Sequence, residues 1–280
     1  MTKTWFITGA SSGFGRGLTE KLLARGDRVA ATSRRSEALD DLRAQYGDRL
    51  WTAVLDVRDL DQVRATVDRA FGDLGRIDIL VSNAGYAVLG AAEETTDELL
   101  RDIVDTNLLG SIALIRSALP HLRAQGGGRV LQVSSEGGQI AYPGFSLYHA
   151  TKWGIEGFVE AVAKEVAPFG IDFTLVEPGP ARTNFVHGVV QPEPIAAYDG
   201  TPAHITRDAA LGGDWIITGD PDRMTDAMIA VADKTHPPLR LALGGTSYDA
   251  IREALTARIE ALDAQRAIAF STDYPAEELA

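Results

Sequence analysis

A phenol and an ammonium stand four residues apart in Tyr148-His149-Ala150-Thr151-Lys152. On a helix, positions i and i+4 share a face, so the two side chains can meet. A free tyrosine titrates near about 10, too high to exchange protons readily at neutrality. A lysine beside it, joined by any further cation bound nearby, favours the phenolate. A drop of about three units corresponds to roughly 4 kcal/mol. The pair is therefore a candidate acid/base unit, although the spacing alone is common on solvated helix faces. Ser135 lies thirteen residues before Tyr148, at the end of a strand-like run. Between them, Glu136 to Gly144 has the composition of a loop that returns the chain beside the serine. Ser134 is the weaker candidate, because neighbours on a strand point to opposite faces. Asn107 lies within an otherwise helical stretch, where its polar side chain carries a mild propensity cost.

A second group of residues suits a dinucleotide. The first strand-like run passes into Thr8-Gly9-Ala10-Ser11-Ser12-Gly13-Phe14-Gly15, and a helical pattern follows. Gly9 permits a tight turn, Gly13 lets backbone approach a pyrophosphate, and Gly15 lets helix and strand pack closely. The free N–H groups at the helix start then face the phosphates. The spacing is T-G-x-x-x-G-x-G rather than G-x-G-x-x-G. Asp56-Val57 ends the third strand-like run, and Ser82-Asn83-Ala84-Gly85 ends the fourth. Ligands of open α/β sheets sit at the carboxyl ends of the strands, where these segments converge. Asp56 is also a candidate N-cap for the helix that follows. The second run ends Thr32-Ser33-Arg34-Arg35, without the acid that binds a ribose 2′-hydroxyl. Arginine there suits a 2′-phosphate, so Ser33 and Arg34 favour NADP(H) over NAD(H).

These residues need a scaffold, and the chain alternates strand-like and helical segments throughout. Nearly continuous apolar runs at 4–8, 28–32, 50–55, 77–82, 129–134, 171–176 and 239–243 read as strands covered on both faces. Helical stretches include 17–25, 59–71 and 155–167; in the last, Phe158, Val162 and Val166 recur at helical spacing. The expectation is an α/β fold: a Rossmann-type, doubly wound parallel sheet of about seven strands flanked by helices. Residues 1–280 are read as one domain. The stretch from about 183 to 220 is rich in Gly, Pro and isolated apolar residues, has no long periodic segment, and reads as a lid. A helix at 222–233 leads into the last strand. A helix at 246–267 and a tail complete the chain, the tail being either unstructured or packed on a neighbouring subunit.

The 280 residues include no cysteine, which excludes disulfides, thiolate chemistry and cysteine-bound zinc; no metal site is expected. The formal charge of -12, from 27 basic and 39 acidic residues, argues against nucleic acid as a partner. No apolar run approaches the roughly 18 residues of a membrane span. The N-terminus reads as a strand rather than a signal peptide, so a cytoplasmic location is expected.

The ordered set of motifs resembles the short-chain dehydrogenase/reductase family over roughly residues 3–185: Thr8 to Gly15, Asn83-Ala84-Gly85, Asn107, Ser135, Tyr148 with Lys152, and Pro178-Gly179. The resemblance implies that Tyr148 exchanges a proton with the substrate oxygen and that Ser135 hydrogen-bonds that oxygen. It implies that Lys152 lowers the tyrosine's pKa and binds the nicotinamide ribose, and that Asn107 holds a water linking Lys152 to solvent. Pro178, Gly179 and Thr183 are expected to border the nicotinamide. Two departures stand out. Ser82 replaces an asparagine often found before Asn83, and Ser12 stands where many NADP-preferring members carry a basic residue.

Tyr142, Phe145 and Phe185 are candidate walls of a substrate pocket. Val186, Val189, Val190, Ile195, Tyr198 and Ile205 of the lid add to an apolar palette. His187 is a candidate polar contact or a surface residue. The expected activity is hydride transfer between NADP(H) and an apolar ketone or aldehyde and its alcohol. Alternatives are an NAD-linked alcohol dehydrogenase and a non-catalytic redox sensor; such sensors typically lose the tyrosine or the lysine, and both are retained. By resemblance, a homodimer or homotetramer is expected, built through the helices that carry Asn107 and Tyr148.

Overall fold

The computed structural model describes residues 2–183, 185, 188–213, 215 and 217–274. Val186 and His187 lie outside them. Seven strands form one parallel sheet: β1 (Thr4–Ile7), β2 (Arg28–Ser33), β3 (Leu50–Val54), β4 (Ile79–Ser82), β5 (Gly128–Val133), β6 (Ile171–Pro178) and β7 (Arg240–Leu243). Their order is β3-β2-β1-β4-β5-β6-β7. Every expected strand is present, with small shifts at the ends. The sheet winds outward both ways from β1 and β4, which pair through Ile7 and Val81. The chain reverses direction across the sheet at that junction, leaving a crevice beyond the strand ends.

Side chains alternate across the sheet. Phe6, Leu80, Val130 and Leu175 face one apolar layer, formed with helices α3 (Leu60–Leu74), α5 (Gly110–Ala124) and α6 (Ser146–Val166). Trp5, Ile7, Val81 and Leu131 face the other, formed with α1 (Gly13–Arg25) and α8 (Pro221–Asp233). Each fully buried side chain of this size contributes about 1.5–3 kcal/mol, so the strand ends rest on a stiff base. The short α2 (Asp40–Tyr46) joins β2 to β3, and α4 (Asp97–Val104) precedes α5.

The structure departs from the expectations in three places. Helix α1 begins at Gly13, inside the glycine turn, so that turn is itself the helix start. The 183–220 stretch holds an 11-residue helix, α7 (Pro202–Gly212), where no periodic segment was expected. Its start and stop are set by Pro202 after Thr201 and by Gly213 in the left-handed conformation, not by an apolar stripe. The C-terminal helix spans α9 (Gly245–Ala264), breaks at Gln265 and resumes as α10 (Arg266–Ser271). No helix among the described residues is long and apolar enough to cross a membrane.

Candidate active site

Strand ends bring the chemical residues together. Thr8 closes β1, and its hydroxyl oxygen accepts from the N–H groups of Asn83 (3.0 Å) and Ala84 (3.1 Å) beyond β4. The Asn83 amide in turn donates to the carbonyls of Thr8 (2.9 Å) and Gly9 (3.2 Å). Asn83 thus welds the glycine turn to the neighbouring strand. Gly9 and Gly13 have positive φ, 67° and 54°. A Cβ on Gly15 would lie 2.4 Å from the Gly9 carbonyl oxygen, so only glycine fits there. Ser12 is the N-cap of α1 but makes no side-chain cap bond, which leaves the first-turn N–H groups open to an anion. Ser11 and Phe14 lie half-buried on the same turn, and Thr183 hangs opposite, its Cβ 3.9 Å from where a Gly13 Cβ would stand. This is a bare-backbone cradle of the kind a dinucleotide phosphate requires.

At the end of β2, Ser33 is buried and its hydroxyl donates to the Arg35 carbonyl at 2.5 Å. Arg34 is exposed and makes no ion pair or hydrogen bond among the described residues. Asp56 does not cap α3. Asp59 does, accepting from the N–H groups of Asp61 and Gln62. Asp56 instead pairs with Arg58, its carboxylate 2.8 Å from Nη2, which holds its pKa below the usual carboxylate range. Three residues farther along, Asp59 sits where the extended chain turns into the helix, so it takes the cap. Val57 is buried against Gly110 at the start of α5, where a Cβ would meet the Val57 carbonyl at 2.7 Å.

Between α4 and α5 the helix widens to a π turn over Asp105–Leu109. Such turns are frequent at functional sites, and this one carries Asn107. The Asn107 side chain straps the chain after β4. Its Oδ1 accepts from the Tyr86 N–H (3.0 Å), and its Nδ2 donates to the Tyr86 carbonyl (2.8 Å) and the Thr151 hydroxyl (3.2 Å). Both amide hydrogens are therefore used, and one lone pair of Oδ1 remains. A Cβ on Gly85 would lie 3.0 Å from that oxygen and 3.9 Å from Lys152 Nζ, so the bare glycine leaves a gap between the two.

Ser135, Tyr148 and Lys152 meet where β5 gives way to α6. The Ser135 hydroxyl oxygen accepts from the Gly137 N–H at 3.1 Å, capping a short 3-10 turn at Glu136–Gly138, and it stands close enough to the buried Tyr148 hydroxyl to favour the phenolate. Ser134 points the other way, donating to buried Glu156 at 2.6 Å. Lys152 Nζ lies 5.5 Å from the Tyr148 ring centre and donates to the Val133 carbonyl at 3.0 Å. Burial pulls the Lys152 pKa down to about 8, with Glu156 opposing. Burial likewise pushes Tyr148 up to about 12, with the Ser135 hydrogen bond opposing and Glu136 reinforcing. The chain alone therefore holds Tyr148 protonated. The expected lowering by lysine and a cationic nicotinamide together has to overcome this desolvation of the phenolate.

Pro178 closes β6, and Gly179 donates to the Leu243 carbonyl at 2.9 Å. Around Tyr148 stand aromatic rings. Phe145 lies 6.3 Å from it and Phe185 6.0 Å, centre to centre. Trp215 stacks on Phe145 at 6.0 Å and 26°, and lies 6.5 Å from Tyr142. Trp215 escaped the sequence reading; a lone tryptophan in a Gly-rich stretch was the available signal. His149 was also missed. Its Nδ1 donates to the Gly137 carbonyl and its Nε2 accepts from the Tyr142 N–H, both at 2.8 Å, which selects the neutral Nδ1–H tautomer. It fastens the serine loop to α6.

Several expected lid residues lie elsewhere. Val190 bridges to Val88, the Ile195 N–H donates to Glu94 at 2.8 Å, and the Tyr198 hydroxyl donates to Glu93 at 3.0 Å. Ile205 is 59% exposed. The 188–213 segment is anchored on the segment after β4, and Phe185 and Trp215 are the aromatic residues of the 183–220 stretch that stand by Tyr148 and Phe145.

Fold and site together define an oxidoreductase of the nicotinamide-dinucleotide-binding, α/β type. The short chain dehydrogenase family model matches residues 3–194, and the chain belongs to that family. A short-chain dehydrogenase structure from Streptomyces avermitilis is 41% identical, covers 98% of this chain and 99% of its own, and superposes with a TM-score of 0.90. An oxidoreductase of Botryotinia fuckeliana is 39% identical over 87% of this chain and 89% of its own length. Human 17-beta-hydroxysteroid dehydrogenase type 1 is 35% identical over 71% of this chain and 62% of its own length.

Proposed function

We propose that this protein interconverts an apolar, bulky or cyclic ketone or aldehyde and its alcohol using NADP(H). The observation that carries the reading is the meeting of Ser135, Tyr148 and Lys152 at the strand ends beside the glycine cradle. The residues present fit the dinucleotide: its pyrophosphate against the turn from Gly9 to Gly15, its adenosine end between Ser33-Arg34 and Asp56-Val57, its nicotinamide end near Asn83 to Gly85, Pro178, Gly179 and Thr183. When bound, it supplies or accepts the hydride at the carbonyl carbon.

Ser135 donates to the substrate oxygen and stabilises the charge that develops there. Tyr148 gives that oxygen its proton in reduction and takes it back in oxidation. Lys152 holds the ribose and, with the cationic nicotinamide, opposes the burial that keeps Tyr148 high. Asn107 offers its spare Oδ1 lone pair to a water in the Gly85 gap, linking Lys152 to solvent. Arg34, exposed and unpaired among the described residues, is the contact for a 2′-phosphate and supports NADP(H) over NAD(H). Tyr142, Phe145, Phe185 and Trp215 supply flat apolar walls, and the steroid dehydrogenase named above supports a substrate of that shape. We further propose that the chain works as one domain, in the cytoplasm, as a homodimer or homotetramer.

The test is NADPH consumption, with NADH in parallel, across apolar ketones and aldehydes including fused-ring ones. Tyr148→Phe is expected to lower kcat by about 10²–10⁴-fold, the usual range for a lost general acid, while still binding NADPH. Tight NADPH binding with no turnover in either direction would overturn the reading.

A further inference from the structure

The last two helices leave the body of the molecule. Ser247 and Ile251 seat the start of α9, and both are buried. Arg258 is the last residue of α9 to bond the rest of the chain among the described residues. Its guanidinium lies over the Trp153 ring, 5.0 Å from the centre, and donates to the Gln139 carbonyl. From Leu255 to Tyr274 every residue is exposed. The arm beyond Arg258 runs to Ser271, a rise of about 20 Å. Helical segments this short are marginal in water unless they pack against something.

The surface of the arm is not that of a solvated helix. Tyr248, Leu255, Ile259 and Leu262 recur at spacings of seven, four and three, which places them on one stripe. These four, with Ile268 and Phe270 of α10, are 41% to 69% exposed. Large apolar side chains gathered in one exposed patch mark a contact, whereas single ones do not.

The charges beside the stripe identify its cover. Arg252 and Asp263 flank it on the edge turned away from Ser247 and Arg258, eleven residues or about three turns apart. Asp249 and Arg266 lie three residues outside them. Among the described residues, none of these four makes an ion pair. From 249 to 266 the order is acid, base, acid, base. A second copy running antiparallel presents the reverse order, so Asp249 meets Arg266 and Arg252 meets Asp263 across a two-fold axis, twice each. The same register interleaves Leu255, Ile259 and Leu262 with their counterparts and brings Tyr248 beside Ala267 and Ile268 of the second copy. A parallel copy in register sets like charges side by side instead. A membrane surface is the poorer occupant, because α9 carries four acids, Asp249, Glu253, Glu260 and Asp263, against two arginines.

We propose that α9 and α10 form an interface with a second copy of this chain, the two arms pairing antiparallel about a two-fold axis. Such a contact is isologous and self-complementary, and it closes at two copies. It uses none of the surface at α4 and the π turn, and it does not depend on the proposed reaction.

The chain has no cysteine, so introduced thiols report the pairing directly. Within one chain, positions 252 and 263 stand about 16 Å apart along the helix, beyond the roughly 7 Å between Cα atoms that a disulfide spans. Arg252→Cys with Asp263→Cys is therefore expected to give, on mild oxidation, a disulfide-linked species of twice the 30.0 kDa chain mass. Each single variant should give far less, because the axis keeps identical positions equally far apart. Charge reversal reads the same contact without a cross-link. In a Leu100→Asp, Leu109→Asp background, Asp263→Arg should weaken self-association about tenfold or more by sedimentation, since it sets arginine against Arg252. Arg252→Asp added to Asp263→Arg should restore it. A double-cysteine variant that links no better than the single ones overturns the proposal, as does self-association indifferent to Asp263→Arg. Arm-dependent flotation with phosphatidylcholine vesicles, in place of the cross-link, would overturn it in favour of a lipid surface.

Discussion

Lys152 shows what the site costs at the scale of one residue. It is 6% exposed, and its pKa falls to about 8. The unfolded chain binds its proton more tightly than the folded one does. Below about pH 8 both states are protonated, and the full cost of burying the ammonium is present; it is relieved as pH rises from about 8 toward the unfolded value near 10.5. Lys152→Met is therefore expected to raise stability at pH 7 by about 1–3 kcal/mol, read as a higher unfolding midpoint, while abolishing turnover. The gain should shrink as pH rises toward 10. A midpoint that drops in Lys152→Met at pH 7 would show that the Val133 hydrogen bond outweighs desolvation.

Among the elements, the segment that carries α7 has its own fastening. The imidazole of His204 on α7 is buried between two carboxylates: Nε2 lies 2.5 Å from Glu94 Oε1 and Nδ1 lies 3.2 Å from Asp199 Oδ1. Glu94 is fully buried at its side chain and also accepts from the N–H groups of Ala91 (2.7 Å) and Ile195 (2.8 Å). Leaving a buried polar group without its hydrogen-bond partner typically costs about 1–3 kcal/mol. His204→Ala should therefore release the 188–213 segment, with faster proteolysis there and a raised KM for large ketones. The thermal shift produced by NADPH should hardly change, because the glycine cradle lies on other elements. Loss of the cofactor-induced shift would mean that the α7 segment and the cradle are coupled more tightly than these contacts suggest.

For the whole molecule, the family resemblance and the surface both bear on assembly. Leu100 on α4 and Leu109 on the π turn are 43% and 40% exposed, on the helical segment that carries Asn107. An oligomer built there covers them. Light scattering is expected to give two or four times the 30.0 kDa chain mass, and Leu100→Asp with Leu109→Asp should lower that mass. A mass of one chain for the unaltered protein, at concentrations where it is active, would remove the oligomer from the proposal.

The alternation of apolar strands with helices was enough to read a parallel Rossmann-type sheet, because buried strands and amphipathic helices each leave a local pattern in the chain. The order of motifs was likewise enough to assign the family. The glycine positions could be read because positive φ and close backbone approach exclude other residues, as Gly9, Gly13 and Gly15 show. Helix α7 was not legible, since it is held by its terminal residues and the Glu94 anchor rather than by an apolar stripe. Neither was the split between Asp56 and Asp59, which depends on where the chain turns. Trp215, His149 and Glu136 acquire their places only from contacts across 70, 12 and 6 residues of chain, to Phe145, Gly137 and Tyr142. The protonation of Tyr148 is likewise a tertiary property. Spacing alone predicts a lysine that lowers it, but burial and a neighbouring carboxylate act the other way, and only folding determines how much water and charge a phenol retains.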